Sequence, residues 1–150
     1  MTAHQGELLF LVEDFMTTAS APVGKDINLR SAVPTFLASD VARTVEWYEE
    51  NLGFQLGGHF PNEAPYAYAS IVRGSVEIML LSLADFRKPD VRRPNGSWEA
   101  YIRMDGVHVL YETVTGKPFV QMALKQQPYN DWEFEVRDPN GYVLVFGGSY

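Results

Sequence analysis

The sequence predicts an α+β domain made of two β-α-β-β-β modules. Three observations carry this. Apolar residues switch between the period of a strand and the period of a helix in one order, and that order occurs twice. The repeat spacing is about 65 residues, the signature of an internal duplication. Local echoes mark the repeat, Ser39-Asp40-Val41 against Asp105-Gly106-Val107 and Ile71-Val72-Arg73 against Glu135-Val136-Arg137. Two such units place their sheets side by side as a curved, half-open barrel, whose concave face is a natural pocket.

The elements follow in order. Leu8, Leu11, Val12, Phe15 and Met16 recur at helical spacing, and Ala19 to Arg30 reads as a connector, so residues 1–30 form an N-terminal extension. The domain proper spans 31–150, with modules 31–81 and 97–147. Ala32 to Ala38 is apolar and extended. Ser39 or Asp40 can cap the next helix, because a short polar side chain accepts from its orphan N–H groups. Val41, Val45, Tyr48 and Leu52 give that helix one apolar face, and Gly53 sits where a left-handed residue ends it. Phe54–Phe60, Tyr66–Val72 and Ser75–Leu81 are extended, the last two joined tightly at Gly74-Ser75. A charged, proline-containing loop covers 82–96. In the second module Trp98–Met104 is extended and Gly106–Thr115 is helical on Val107, Leu110, Tyr111 and Val114. Pro118–Leu124 and Trp132–Arg137 are extended, Asp138-Pro139-Asn140-Gly141 is a turn, and Tyr142–Phe146 is the last strand.

Composition bounds the function. The chain has 150 residues, with 19 acidic against 12 basic, a formal charge of −7. That balance does not suit nucleic acid, whose affinity comes from neutralised phosphates. It suits a cationic or neutral small partner. There is no cysteine and there are three histidines, His4, His59 and His108, so thiolate chemistry is excluded and a His-rich metal centre has little to draw on. No apolar run approaches a membrane span, and no basic leader precedes Leu8–Val12, so a cytoplasmic protein without membrane contact is expected. Nucleophile-elbow, P-loop and dinucleotide-binding motifs do not occur.

Strand alternation sorts candidate site residues by face. Pro34, Phe36, Ala38, Ala100, Ile102 and Met104 form one apolar set, suited to a helix-covered face. Thr35, Leu37, Glu99, Tyr101 and Arg103 form a mixed set on the other. A buried carboxylate or guanidinium needs a partner, a ligand or water. Glu77 stands in an otherwise apolar strand and would bind an ammonium or guanidinium group, or act as a general base. Phe60, Tyr66, Tyr68, Phe86, Trp98, Tyr101, Trp132 and Phe134 lie where the rim of a cup is expected, and such surfaces stack planar or cationic ligands. His108 and Glu112, at i and i+4, read as a solvent-facing pair.

The pattern Val33-Pro34, Asp40-Val41, Tyr48 and Leu52-Gly53-Phe54 resembles the opening of the vicinal-oxygen-chelate superfamily. That superfamily includes glyoxalase I, extradiol dioxygenases, fosfomycin-resistance enzymes and bleomycin-resistance proteins. The ending Glu133 to Tyr142 resembles its closing hairpin, and Ser97 to Tyr111 is similar to the second module of the bleomycin-resistance branch. The match covers residues 32–147. The family's enzymes hold a divalent metal with His, Glu or Gln at four positions. The resemblance puts Val33, Glu99 and Val145 at three of them, and Glu77 or Met79, two residues apart on one strand face, at the fourth. Valine offers no lone pair, and a catalytic metal normally takes at least three protein ligands. The resemblance therefore implies the metal-free, sequestering branch: no cofactor, a small aromatic or cationic drug or metabolite as partner, and a homodimer. Glu77, Met79, Trp98, Glu99, Tyr101, Arg103, Trp132, Phe60 and Tyr68 are the expected ligand contacts. The alternative is a lyase or isomerase using a pocket carboxylate or a relocated metal.

Overall fold

In a computed structural model, residues 28, 30–84 and 98–150 are described; the helix expected at Leu8–Met16 and most of the loop 82–96 fall outside them. The first module runs β1 (Thr35–Ala38), α1 (Val41–Leu52), β2 (Gln55–Phe60), β3 (Tyr68–Arg73) and β4 (Val76–Ser82). The second runs β5 (Ala100–Met104), α2 (Val107–Val114), β6 (Val120–Gln126), β7 (Trp132–Arg137) and β8 (Val143–Gly148). Each module is one four-stranded sheet, in the orders β1-β4-β3-β2 and β5-β8-β7-β6. The predicted duplication is thus real at the level of topology, with a parallel first pair and an antiparallel remainder in each sheet. The sheets curve without closing.

The helices start and stop as the sequence dictates. Asp40 accepts from the Arg43 N–H at 3.0 Å, and Gly53 ends α1 at φ 65°, a conformation that penalises a Cβ. Val41, Val45, Tyr48 and Leu52 are buried, as their spacing requires. In α2 Val107, Leu110 and Val114 are buried, while Gly106 precedes it without a side-chain cap. Both helices cover the apolar faces of the sheets: Phe36, Ala38, Ile71, Ile78 and Leu80 in one, Ile102, Phe134, Val136, Leu144 and Phe146 in the other. These faces share a single core within the compact unit Val33–Tyr150.

The modules meet through their helix-side faces. The Tyr142 ring stacks on Phe36 at 4.3 Å, and its hydroxyl accepts from the Leu37 N–H at 2.9 Å. Asn140 accepts from the Ser39 N–H and donates to Thr44. Trp47 packs edge-on against Phe119 at 5.1 Å. Tyr48, fully buried, donates to Asp138 at 2.9 Å. A buried hydroxyl and carboxylate would each be costly alone, and here each satisfies the other. Burial, followed by the neighbouring Asp138 charge, pushes the Tyr48 phenol well above its usual range. Burial also raises Asp138, against the hydrogen bonds from Tyr142, Tyr48 and Asn140 that pull it down. With the helix-side faces joined, the opposite, concave faces are left to form sites.

Candidate functional site

The concave face of the second sheet carries the densest chemistry. Strand alternation puts Glu133 and Glu135 of β7 on this face, because Phe134 and Val136 between them are buried in the core. Glu133 is only 7% exposed. A carboxylate so placed needs donors, and two phenols supply them: Tyr101 from β5 at 2.7 Å and Tyr129 from the β6–β7 turn at 2.6 Å, both to Oε1. Asn130, at φ 72°, sits in that turn, and Gln127 takes the Asn130 N–H and donates its own to Asp131. The turn thereby brings Tyr129 back over the sheet.

Gly147 of β8 makes the arrangement possible. It lies between Arg103 and Glu133 in register. A Cβ on Gly147 would stand 2.1 Å from the Tyr101 hydroxyl and 3.0 Å from Glu133 Cγ. The phenol and carboxylate therefore meet directly over bare backbone. Trp98 is half exposed and packs edge-on against Tyr101 at 5.8 Å. The Arg103 guanidinium sits 5.4 Å from the Tyr101 ring centre and 3.8 Å from Asp131. That ion pair is solvent-exposed and contributes little to stability, but it holds a cation at the mouth. These groups line an open pocket of about 510 Å³. Burial, then the bond to Glu133, pushes the Tyr101 phenol up to about 12. The bond to Glu133 is the main cause of the rise at Tyr129. Both phenols stay protonated donors through neutral pH, and two carboxylates against one guanidinium leave the pocket a net negative charge.

The expected contacts divide between two faces and two sheets. Trp98, Tyr101 and Arg103 come together as a wall of this pocket. Glu99 is near but occupied, since its carboxylate accepts the Val143 N–H. Trp132 lies on the opposite face of β7 from Glu133, packed on the core and against Tyr150 at 4.9 Å. Glu77, Met79, Phe60 and Tyr68 belong to the first sheet, where Met79 lies opposite Thr35 and Phe60 opposite Tyr68. Phe60 is 67% exposed at the strand end. His59 turns its Nδ1 toward the Pro61 carbonyl at 3.0 Å. His108 is half-buried, not solvent-facing: its ring stacks on Tyr150 at 4.2 Å.

Glu133, Tyr129, Asp131 and Gly147 escape the sequence reading. Trp132-Glu133-Phe134-Glu135-Val136 alternates apolar and acidic, which marks a carboxylate-bearing face. Aromaticity drew attention to Trp132 and Phe134, the residues on the other side.

Register bears on the fourth position of the ligand set that the resemblance implies. Thr35 pairs with Met79, and Tyr101 pairs with Val145, so Met79 and Val145 are equivalent and Glu77 is not. The set is then Val33, Met79, Glu99 and Val145, with Val145 buried and the Glu99 carboxylate engaged by a backbone N–H. Among the described residues, no three or more His, Asp or Glu side chains gather to hold a metal. This donor set does not fit a divalent ion.

Solved structures share the fold. TioX from Micromonospora sp. ML1 matches at 17% identity and a TM-score of 0.63, covering 78% of this chain and 98% of its own. A glyoxalase-related enzyme from Clostridium phytofermentans matches at 19% and 0.64, covering 83% and 98%. The bleomycin-binding protein of bleomycin-producing Streptomyces verticillus, solved with copper(II)-bleomycin, matches at 22% and 0.54, covering 80% and 96%. No curated protein matches the sequence significantly. The family model for the Glyoxalase/Bleomycin resistance protein/Dioxygenase superfamily matches residues 32–146, most of the chain, and the protein belongs to that superfamily.

Proposed function

We propose that the protein binds and sequesters a small aromatic cation on the concave face of its second sheet, without a catalytic metal. The observation that carries this is Glu133, a carboxylate 7% exposed and held by two phenols beside the half-exposed Trp98. Such a group supplies a charge-assisted hydrogen bond in a weakly hydrated place, and the indole supplies a stacking surface. Likeness to proteins solved with bleomycin supports a small-molecule role. A homodimer, in which the concave face of a second copy's first sheet covers the pocket, would bring Phe60, Tyr68, Glu77 and Met79 to the same ligand. Catalysis by a Glu99 base is disfavoured, because that carboxylate already accepts the Val143 N–H.

The test is tryptophan fluorescence against a panel of planar monocations, with Trp98→Phe to assign the signal. Saturable quenching is expected, weakened at least tenfold by Glu133→Gln. No binding tighter than millimolar across the panel, or a stoichiometric transition metal in the purified protein, would overturn the reading.

A further inference from the structure

The two modules meet at two junctions related by the internal duplication, and the junctions are not alike. Register fixes which residues correspond. Met79 matches Val145, so Val76 matches Tyr142; Arg73, paired with Val76, matches Asp138. Phe36 matches Ile102. Val41 and Val107 open the helices, so Tyr48 matches Val114.

At the first junction a tyrosine ring joins the modules: Tyr142 stacks on Phe36 at 4.3 Å with its hydroxyl on the Leu37 N–H, and Asp138 takes the Tyr48 hydroxyl. At the second, the tyrosine is replaced by Val76 and the Tyr48 phenol by Val114. Arg73 turns back to its own module and donates to the Leu52 carbonyl at 2.6 Å. The result is an open pocket of about 340 Å³, lined mainly by Val76, Ile102, Met104, Leu110 and Phe146, with Arg73 and Arg103 at its edge. Here the fold itself shows which shape suits the place, because the equivalent position holds a phenol ring.

We propose that this second junction is a binding site for a small flat phenol-like ring, on the helix side of the sheet and sharing only Arg103 with the pocket around Glu133. The ring lies on Ile102 as Tyr142 lies on Phe36. The site does not depend on the reading of the concave face, since the lining side chains of Ile102 and Phe146 point to the helix side of the sheet.

The probe is p-cresol, a tyrosine side chain without its backbone, titrated into the full chain by calorimetry. Saturable one-to-one binding is expected, with nuclear Overhauser contacts from the cresol ring to the Val76, Ile102 and Leu110 methyl groups. Val76→Tyr, which supplies the missing ring covalently, should abolish binding and raise the melting temperature, and Val76→Phe should weaken binding at least tenfold. Trp98→Ala should leave p-cresol affinity unchanged. The proposal is overturned if no saturable binding occurs by 10 mM, if the contacts fall on Trp98 and Tyr101, or if both folded Val76 variants bind as the parent does.

Discussion

Gly147→Ala would test the geometry of the pocket floor with one methyl group. Its φ is not in the left-handed region, so alanine meets no backbone strain there. In a strand interior that exchange alone would stabilise by about 0.5–1 kcal/mol. The structure reverses the sign. The new Cβ would stand 2.1 Å from the Tyr101 hydroxyl and 2.6 Å from its ring carbon, against an ordinary contact above 3.4 Å. The phenol must move by more than an ångström and so gives up its 2.7 Å bond to Glu133. A hydrogen bond to a charged group contributes about 1.5–3 kcal/mol, and overpacking costs about 1–3 kcal/mol. The net expectation is destabilisation by about 1.5–5.5 kcal/mol, after the alanine gain is subtracted. Urea unfolding followed by tryptophan fluorescence measures it. In a Tyr101→Ala background the obstructing ring is gone, so the same change should be within about 0.5 kcal/mol of neutral or stabilising. An equal penalty in both backgrounds would refute the role given to Gly147, as would a neutral effect in the parent.

Four further outcomes follow. Tyr48→Phe should destabilise by about 1.5–3 kcal/mol in urea unfolding, because Asp138 loses its side-chain donor in the core. Alkali should unfold the protein: the raised phenols of Tyr48 and Tyr101 favour the neutral form in the fold, so their contribution holds below pH about 10 and falls as pH climbs toward each folded value. Absorbance at the phenolate band should show Tyr101 ionising near pH 12, and Tyr129→Phe should leave that late step in place. Chelator treatment should leave ligand affinity and melting temperature unchanged, since the family's metal positions hold Val33, Met79 and Val145.

The sequence exposed the elements wherever periodicity and punctuation agreed. α1 is the clearest case: Asp40 before it, Gly53 after it, and an apolar residue every three or four positions between. Strand ends shifted by one to three residues, as for β6, where pairing to β7 is irregular between Val120 and Lys125. The local echoes were less faithful than the topology. Matching Ile71-Val72-Arg73 to Glu135-Val136-Arg137 is one residue out of step with the pairing, which aligns Arg73 with Asp138. Site residues were legible on β5, where Tyr101 and Arg103 interrupt an apolar strand. They were illegible where they depend on contacts between strands. Nothing in the sequence near Gly147 says that Tyr101, more than forty positions earlier, leans over it. Tyr129 acts only because the turn at Asn130 folds it back.

The second sheet keeps its charged chemistry apart from the position to which the resemblance assigns a metal ligand. Two adjacent rows cross its concave face. One runs Tyr101, Val145, Glu135; the other runs Arg103, Gly147, Glu133. The position to which the resemblance assigns a metal ligand lies in the first row, at Val145, and there the residue is apolar and buried. The charged chemistry stands one row along, where Gly147 opens space for a carboxylate and a phenol to meet. A ligating carboxylate at 145 would sit beside Tyr101 and near Glu133, and like charges at that distance raise each other's cost of ionisation. Valine at 145 adds no such charge beside Glu133, and its burial suits an apolar side chain. Val145→Glu tests this: a carboxylate placed at a buried position beside Glu133 should lower the melting temperature and destabilise the protein in urea unfolding. An unchanged melting temperature would refute the placing of position 145 in a buried row that excludes charge.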